Sequence, residues 1–161
     1  MSAIGDYFVV SRSAYAKCLE LARDIHSETT GKWLFKKTQV VGVEEFHREW
    51  QQSVLEEVGF SYSGYVIGNY LDAQDVLNGS GFDEQTEEAK TLAKLFTAAF
   101  PFHEQVTFPE LEPTRLLEFC RYECGEDDGA QLAAAVNAAH EFFKEGLKKI
   151  TPENLVVFTI R

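Results

Sequence analysis

The sequence lacks the features that mark membrane, secreted or disordered proteins. No window approaches the roughly 18 uninterrupted apolar residues of a membrane span, and residues 1–10 have neither the basic flank nor the long apolar region of a secretory signal. Only four of the 161 residues are proline, as is typical of a folded chain rather than a linker. We therefore expect a protein that stays in the compartment where it is made.

Cysteine is also scarce. The three cysteines, Cys18, Cys120 and Cys124, cannot all pair within one chain. A core of this size does not require a disulfide, so a reducing cytoplasm is the simplest location. Cys120 and Cys124 are four residues apart, which is neither the Cys-x-x-Cys spacing of a redox pair nor a four-ligand zinc site. We expect Cys18 to be a core residue.

Motifs of high catalytic specificity are missing. The run Gly59-Phe-Ser-Tyr-Ser-Gly64 does not match the Gly-x-Ser-x-Gly elbow of esterases, and no phosphate loop follows it. Glu44-Glu45-Phe46-His47 holds one Glu-x-x-His pair, whereas a carboxylate-bridged metal bundle needs a second pair and two further glutamates. We therefore predict no metal and no cofactor.

Histidines are few and stand far apart in the sequence. The four are His26, His47, His103 and His140. Groups of a catalytic site meet only in space, so a hydrolase working through His and Asp or Glu side chains stays open as the alternative function. Because no nucleophile is marked, no catalytic residue is predicted.

Negative charge, in contrast, is abundant and uneven. Residues 72–128 hold four basic side chains against fourteen acidic ones, a balance of −10, and the whole chain carries −11. A field of this sign repels phosphate backbones. We therefore expect no nucleic acid and no membrane as a partner, and a basic protein as the charged partner. The other explanation of the charge is solubility.

Apolar periodicity predicts one α+β domain over residues 1–161. We expect a small mixed or antiparallel sheet on which several amphipathic helices pack, with the terminal strands as neighbours. A βαβ crossover, and with it a pure α/β topology, also stays open. Strands are predicted over residues 7–10, 33–41 (an edge strand or bent hairpin), 62–67, 103–108 (a strand or extended segment) and 155–160. Helices are predicted over residues 13–27, 43–58, 70–77, 83–100, 114–122 and 130–149, with Asp83 as the cap of the fourth.

The segment from Phe60 to Tyr70 combines four aromatic residues with two glycines. Tyrosine joins contact area to a polar tip and is enriched at interfaces, and acidic residues follow directly. We therefore predict a binding surface here; the alternative is that the rings close the core at a bend that the glycines allow. Asn69 is also expected to cap a helix that begins at Tyr70. The predicted binding residues are Tyr62, Tyr65, Asn69, Tyr70, Asp72 and Asp75.

The order of several short motifs resembles a known family. The chain opens with Met1, Ile4, Gly5, Tyr7 and Phe8 leading into a predicted helix, carries Tyr70, Leu71 and Val76 after the aromatic-glycine segment, and ends with Phe142 and Phe143 before the strand at 155–160. In this order the motifs resemble the YfbM-like family of small bacterial domains of unassigned function. The acids around residues 125–129 and the tract 33–58 depart from that pattern. The resemblance implies a bacterial source and a fold, but no reaction.

A non-enzymatic protein-binding role follows most directly from these features. The predicted protein is small, acidic and cytoplasmic, and uses tyrosines and carboxylates to bind a basic partner. An immunity-type protein that masks a basic toxin fits the size, the charge and the compartment. The sequence does not set the oligomeric state.

Overall fold

A computed structural model describes residues 3–31, 34–82, 86–125 and 128–161. These residues form six strands and six helices. In chain order they are β1 (Ile4–Ser11), α1 (Arg12–Asp24), β2 (His26–Thr30), β3 (Lys37–Val41), α2 (Val43–Ser53), β4 (Val54–Ser63), α3 (Tyr65–Asn78), α4 (Glu87–Leu92), β5 (Ala98–Phe102), α5 (Pro113–Cys124), α6 (Gly129–Leu147) and β6 (Asn154–Ile160).

Four strands form an antiparallel sheet in the order β4-β1-β6-β5. The terminal strands β1 and β6 are neighbours, with Tyr7 opposite Phe158 and Val9 opposite Val156. The predicted α+β class and the pairing of the chain ends are therefore confirmed. Residues 155–160 are all buried, so this strand is covered on both faces.

Helices cover both faces of this sheet. Successive strand residues point to opposite sides, so Tyr7 and Phe158 pack with α3, α5 and α6, whereas Phe8 and Val157 pack with α1, α2 and α4. Cys18 lies within the second of these cores, as predicted. The remaining strands, β2 and β3, form a separate exposed hairpin.

Aromatic stacking joins α6 to the middle of the sheet. The ring of Phe143 lies on that of Phe158, with centroids 4.0 Å apart and planes at 14°. One turn further along α6, Gly146 approaches the sheet so closely that a Cβ would lie 2.7 Å from Cζ of Phe158 and 3.1 Å from Cδ1 of Tyr7. The absence of a side chain at Gly146 therefore lets α6 pack against the strands.

Two predicted helices are wrong in length because helical spacing of apolar residues runs on into a strand. The predicted helix 43–58 ends at Ser53, and the residues after it form β4, where Val58 lies opposite Tyr7. Within the described part of the predicted helix 83–100, residues 86–100, only Glu87–Leu92 form a helix, α4, and the end belongs to β5. Pro101 belongs to this strand, which is tolerated because β5 is at the sheet edge.

Smaller corrections concern element ends. The predicted first helix stops at Asp24 because the next residues pair with β3. Of the two alternatives for 33–41, the structure shows the edge strand, since Lys37–Val41 is one strand of a two-stranded sheet. Trp33 lies outside the described residues. For residues 103–108, predicted as a strand or extended segment, the strand alternative is wrong, since they pair with no other strand. Asp83 lies outside the described residues, and Thr86 caps α4 by accepting a hydrogen bond from the Ala89 amide at 3.1 Å.

Replacing Gly146 by alanine is expected to lower the free energy of unfolding by about 1–2 kcal/mol, because overpacking against Phe158 outweighs the gain in helix propensity. The matched control is Gly68→Ala in α3, where the added Cβ meets only Cδ1 of Ile160, at 3.9 Å. It should raise the free energy of unfolding by up to about 1 kcal/mol. Urea denaturation followed by circular dichroism measures both, and effects of the same sign would contradict the close approach of α6.

Candidate functional site

The aromatic-glycine segment is a sharp bend between β4 and α3. The amide of Gly64 donates to the carbonyl of Ala3 at 2.9 Å, and a Cβ on Gly64 would lie 2.7 Å from the carbonyl carbon of Ile4. Only glycine fits so close to the β1 backbone. The bend brings the end of β4 directly to the first turn of α3, so residues 60–65 are held against the sheet.

Asn69 does not cap a helix. The prediction that it does is wrong, because α3 begins at Tyr65 and Asn69 lies within it, half-buried. The N-cap of α3 is Gly64, which has no side chain to accept a capping hydrogen bond. The predicted end of the helix is confirmed, since Gly79 adopts the left-handed conformation (φ 64°) after Asn78.

Tyr62 and Tyr65 lie on either side of this bend and face solvent. Their exposed fractions are 46% and 57%. Tyr62 contacts the ring of Phe60 at 5.6 Å between centroids, and Phe60 in turn contacts Phe142 of α6 at 4.9 Å. Tyr62 is therefore an exposed ring supported by two partly buried ones.

One face of α3 carries a row of solvent-facing residues. Tyr65, Asn69, Asp72 and Val76 follow one another at spacings of four, three and four, which places them on one side of a helix of about 3.6 residues per turn. Tyr65, Asp72 and Val76 are exposed, Val76 by 65%. We call these four residues the α3 stripe. The opposite side of the helix is buried against the sheet and α6.

Tyr70 belongs to the core rather than to this surface. It is 0% exposed, and its ring stacks on Phe143 with centroids 4.7 Å apart. Its hydroxyl lies 2.9 Å from Nδ1 of His140 and 3.3 Å from Nε2 of Gln74. Burial raises the pKa of Tyr70, so the hydroxyl keeps its proton. Of the two alternatives given for the aromatic-glycine segment, a binding surface or packing in the core, the structure shows packing in the core for the Tyr70 ring.

Asp75 is turned toward the loop that follows α3. One carboxylate oxygen accepts hydrogen bonds from the Ser80 hydroxyl and from the Phe82 amide, the latter at 2.7 Å. The other oxygen is buried and has no hydrogen-bond partner among the described residues. Asp75 thus fixes the turn at 79–82. Of the six predicted binding residues, Tyr62, Tyr65 and Asp72 are exposed and Asn69 is half-buried.

Several acids of the 72–128 region are engaged in local contacts elsewhere. Glu88 binds His103 at 2.8 Å, and Glu87 pairs with Lys90 at 3.0 Å. Glu112 caps α5 by accepting hydrogen bonds from the amides of Thr114 and Arg115, which lower its pKa. The negative charge of this region is therefore spread over α3, α4 and α5 rather than placed on the α3 stripe alone.

The four histidines do not converge. His26 pairs with Glu28 on the exposed hairpin, at 2.9 Å. His47 borders a cavity beside Trp50, on the α2 side of the sheet. His103 lies just after β5, and His140 lies on α6 beside Tyr70.

His103 lines a cavity of about 550 Å³ and pairs with the carboxylate of Glu88. Its Nε2 lies 2.8 Å from Oε1 of Glu88, its Nδ1 lies 3.5 Å from the Arg12 guanidinium, and Arg12 also donates to its carbonyl. Buried Tyr15 donates to the same glutamate. Both ring nitrogens therefore face groups of the protein, and the cluster ties α1, α4 and β5 together.

The described residues give no grouping of three or more His, Cys, Asp or Glu side chains that could hold a metal ion. Cys18 and Cys120 are buried and Cys124 is exposed, all as free thiols. Burial raises the pKa of Cys120 to about 11, so it is a poor nucleophile. In the part of the chain that is described, no helix is long and apolar enough to cross a membrane.

Tyr70→Phe is expected to lower the free energy of unfolding by about 1–2 kcal/mol, because it leaves the buried amide of Gln74 and Nδ1 of His140 without their shared partner. Tyr65→Phe removes the same hydroxyl from an exposed ring and should change the free energy by less than about 0.5 kcal/mol. Chemical denaturation of the two variants gives the comparison. Equal losses would contradict the different placement of the two rings.

Comparison with protein-family models, with curated proteins and with solved structures finds no match. The resemblance to YfbM-like domains therefore stays a prediction. Function is inferred below from the surfaces and cavities of this chain itself.

Proposed function

We propose that the protein is a non-enzymatic protein-binding domain and that Tyr62 and the α3 stripe receive a basic segment of its partner. The observation that supports this proposal is the exposure of Tyr65, Asp72 and Val76 along one side of α3, with Tyr62 exposed just before the bend that leads into this helix. Large apolar side chains exposed in a row are typical of binding surfaces rather than of solvated helix faces.

Each residue of this surface has a role that its chemistry suits. The rings of Tyr62 and Tyr65 offer flat contact area and accept a Lys or Arg side chain over their faces. The carboxylate of Asp72 provides the opposite charge, one to two turns along the helix from Tyr65. Val76 extends the apolar contact at the C-terminal end of the α3 stripe. Asn69 contributes a polar group between Tyr65 and Asp72.

The charge of the whole chain favours the same partner. With a net charge of −11, the protein attracts basic surfaces over long range and speeds their association, an effect that salt screens. The contact then depends on the aromatic residues, because close-range affinity comes from a few buried aromatic anchors. Charge sets the partner class, and the rings set the position.

A protein that masks a basic toxin, as immunity-type proteins do, is the specific form of this function that we favour. Such a role requires a small acidic domain with an exposed contact face. The chain has the acidity, and its four-strand sheet covered on both sides holds the α3 stripe in a fixed position. We propose a cytoplasmic location for the same reason as before, the scarcity of cysteine.

A hydrolase is the alternative, and one observation favours it: the pair of His103 and Glu88 beside the cavity of about 550 Å³. A general base must have a ring nitrogen within reach of the substrate proton. Here Nε2 is held by Glu88 and Nδ1 faces Arg12. We rank this function second because His103 would have to leave one of these contacts before it took a proton.

Native capture from the lysate of its own source tests the binding proposal. At low salt the wild-type protein should retain a basic partner, and the double substitution Tyr65→Ser with Asp72→Lys should weaken that complex at least about tenfold, because it removes an anchor and reverses a charge. Affinity is then measured by titration with the recovered partner. Raising the ionic strength should weaken the wild-type complex.

The matched control is Tyr122→Ser with Glu118→Lys on α5, where Tyr122 is 91% exposed and the charge change is the same. This variant should bind like the wild type. Recovery of no partner, or equal loss of affinity in both double variants, would contradict the proposed surface.

A further inference from the structure

A second concave site lies on the α6 side of the molecule, away from the α3 stripe. The segment 105–110 passes over α6 and leaves a cavity of about 490 Å³, within the range of small-molecule sites. His140, Lys144 and Lys148 line it at spacings of four residues, so they share one side of the helix. Phe108 and Leu147 supply an apolar wall.

Hydrogen bonds behind the cavity fix the ring of His140. The carbonyl of Pro109 can only accept, so the group of Gln74 that lies 2.8 Å from it is the amide nitrogen. The same nitrogen lies 3.3 Å from the Tyr70 hydroxyl, while Asn78 donates to the amide oxygen of Gln74 at 2.9 Å. Gln74 therefore donates to the oxygen of Tyr70.

The hydrogen of Tyr70 is then directed to His140. Its hydroxyl oxygen already accepts from Gln74, and Nδ1 of His140 lies 2.9 Å away as the acceptor. A neutral imidazole that accepts at Nδ1 carries its hydrogen on Nε2. Because Nε2 has no hydrogen-bond partner among the described residues, His140 presents an N–H donor at the cavity.

This arrangement suits binding of an anion rather than proton abstraction. In its neutral form His140 offers a donor and no free base at the cavity, and two lysines line the same cavity with one carboxylate, Glu110. Lys148 is held by Glu145 at 2.7 Å, whereas Lys144 lies 3.9 Å from Glu141. Lys144 is therefore the less engaged of the two cations.

We propose that this cavity binds a small molecule with one carboxylate and an apolar body. The carboxylate accepts from Nε2–H of His140 and from the ammonium group of Lys144, bonds that are strengthened by charge. The apolar body packs on Phe108 and Leu147, which Tyr70 and Phe143 support from the core. Tyr70 acts as a positioning residue through His140.

Phenylacetate is the probe, because it joins a carboxylate to a ring that matches the two parts of the cavity. Phenylacetamide keeps the ring without the charge, and acetate keeps the charge without the ring. Titration followed by two-dimensional NMR should show saturable shifts at His140 and Lys144 with phenylacetate. Each of the other two probes should bind at least about tenfold more weakly.

Two variants test the residues. Lys144→Gln, at an exposed position, should weaken phenylacetate binding about tenfold without loss of folding. Tyr70→Phe should weaken it too, and the Nε2–H signal of His140 should change because the tautomer is no longer set. The control is Lys90→Gln on α4, a lysine with an i,i+3 glutamate partner that does not line this cavity.

The proposal is overturned by any of three results. The first is no saturable binding of phenylacetate at millimolar concentration. The second is equal affinity for phenylacetate and phenylacetamide. The third is the same loss of affinity in Lys144→Gln and Lys90→Gln, which would show general charge attraction only.

Discussion

Three stacked rings, Phe158, Phe143 and Tyr70, hold two helices on one face of the sheet. Phe158 lies in β6, one of the two inner strands, Phe143 stacks on it from α6 at 4.0 Å, and Tyr70 stacks on Phe143 from α3 at 4.7 Å. All three are fully buried. Such rings bury large apolar areas and pack in defined geometries, so they fix the rotation of each helix about its axis. The α3 stripe and the cavity beside α6 both depend on that rotation.

The burial of Tyr70 accounts for both sites. Since Tyr70 points to the core, residues on the far side of α3, such as Tyr65 and Val76, must face solvent. The hydroxyl of the same ring reaches past the stack to His140 and sets which nitrogen carries the proton at the cavity. Tyr70, which was predicted as a binding residue, is thus a core residue whose position determines both the exposure of the α3 stripe and the hydrogen bonding of His140 at the cavity.

The sequence predicted secondary structure correctly where a segment showed a single apolar pattern, that of a helix or that of a strand. It failed at boundaries where a helix runs directly into a strand. Each residue of the run 155–160 is apolar or β-branched, and the run forms β6, one of the two inner strands. The change from α2 to β4 was not detectable by spacing, because Val54 and Val58 continue the helical repeat of Phe46 and Trp50 without a Gly or Pro between them. The alternation of Val58, Phe60 and Tyr62 was the pattern in the sequence that indicated a strand here.

The contact of His140 with Tyr70 joins residues 70 positions apart, so no local sequence pattern could predict it. Whether a tyrosine is exposed depends on where its helix begins, and α3 begins five residues earlier than predicted.

The most direct measurement of the central claim, that the α3 stripe is the contact surface, is site-specific photo-crosslinking in the native lysate. Tyr65 is replaced by p-benzoylphenylalanine in one protein and Tyr122, the most exposed large apolar side chain among the described residues, in another. Both positions carry an exposed ring, 57% exposed at Tyr65 and 91% at Tyr122, so the reagent reaches solvent in both proteins and is the more accessible one at the control position. A basic protein crosslinked from position 65 and not from position 122 is the predicted result. The same product from both positions, or from position 122 alone, would contradict the claim.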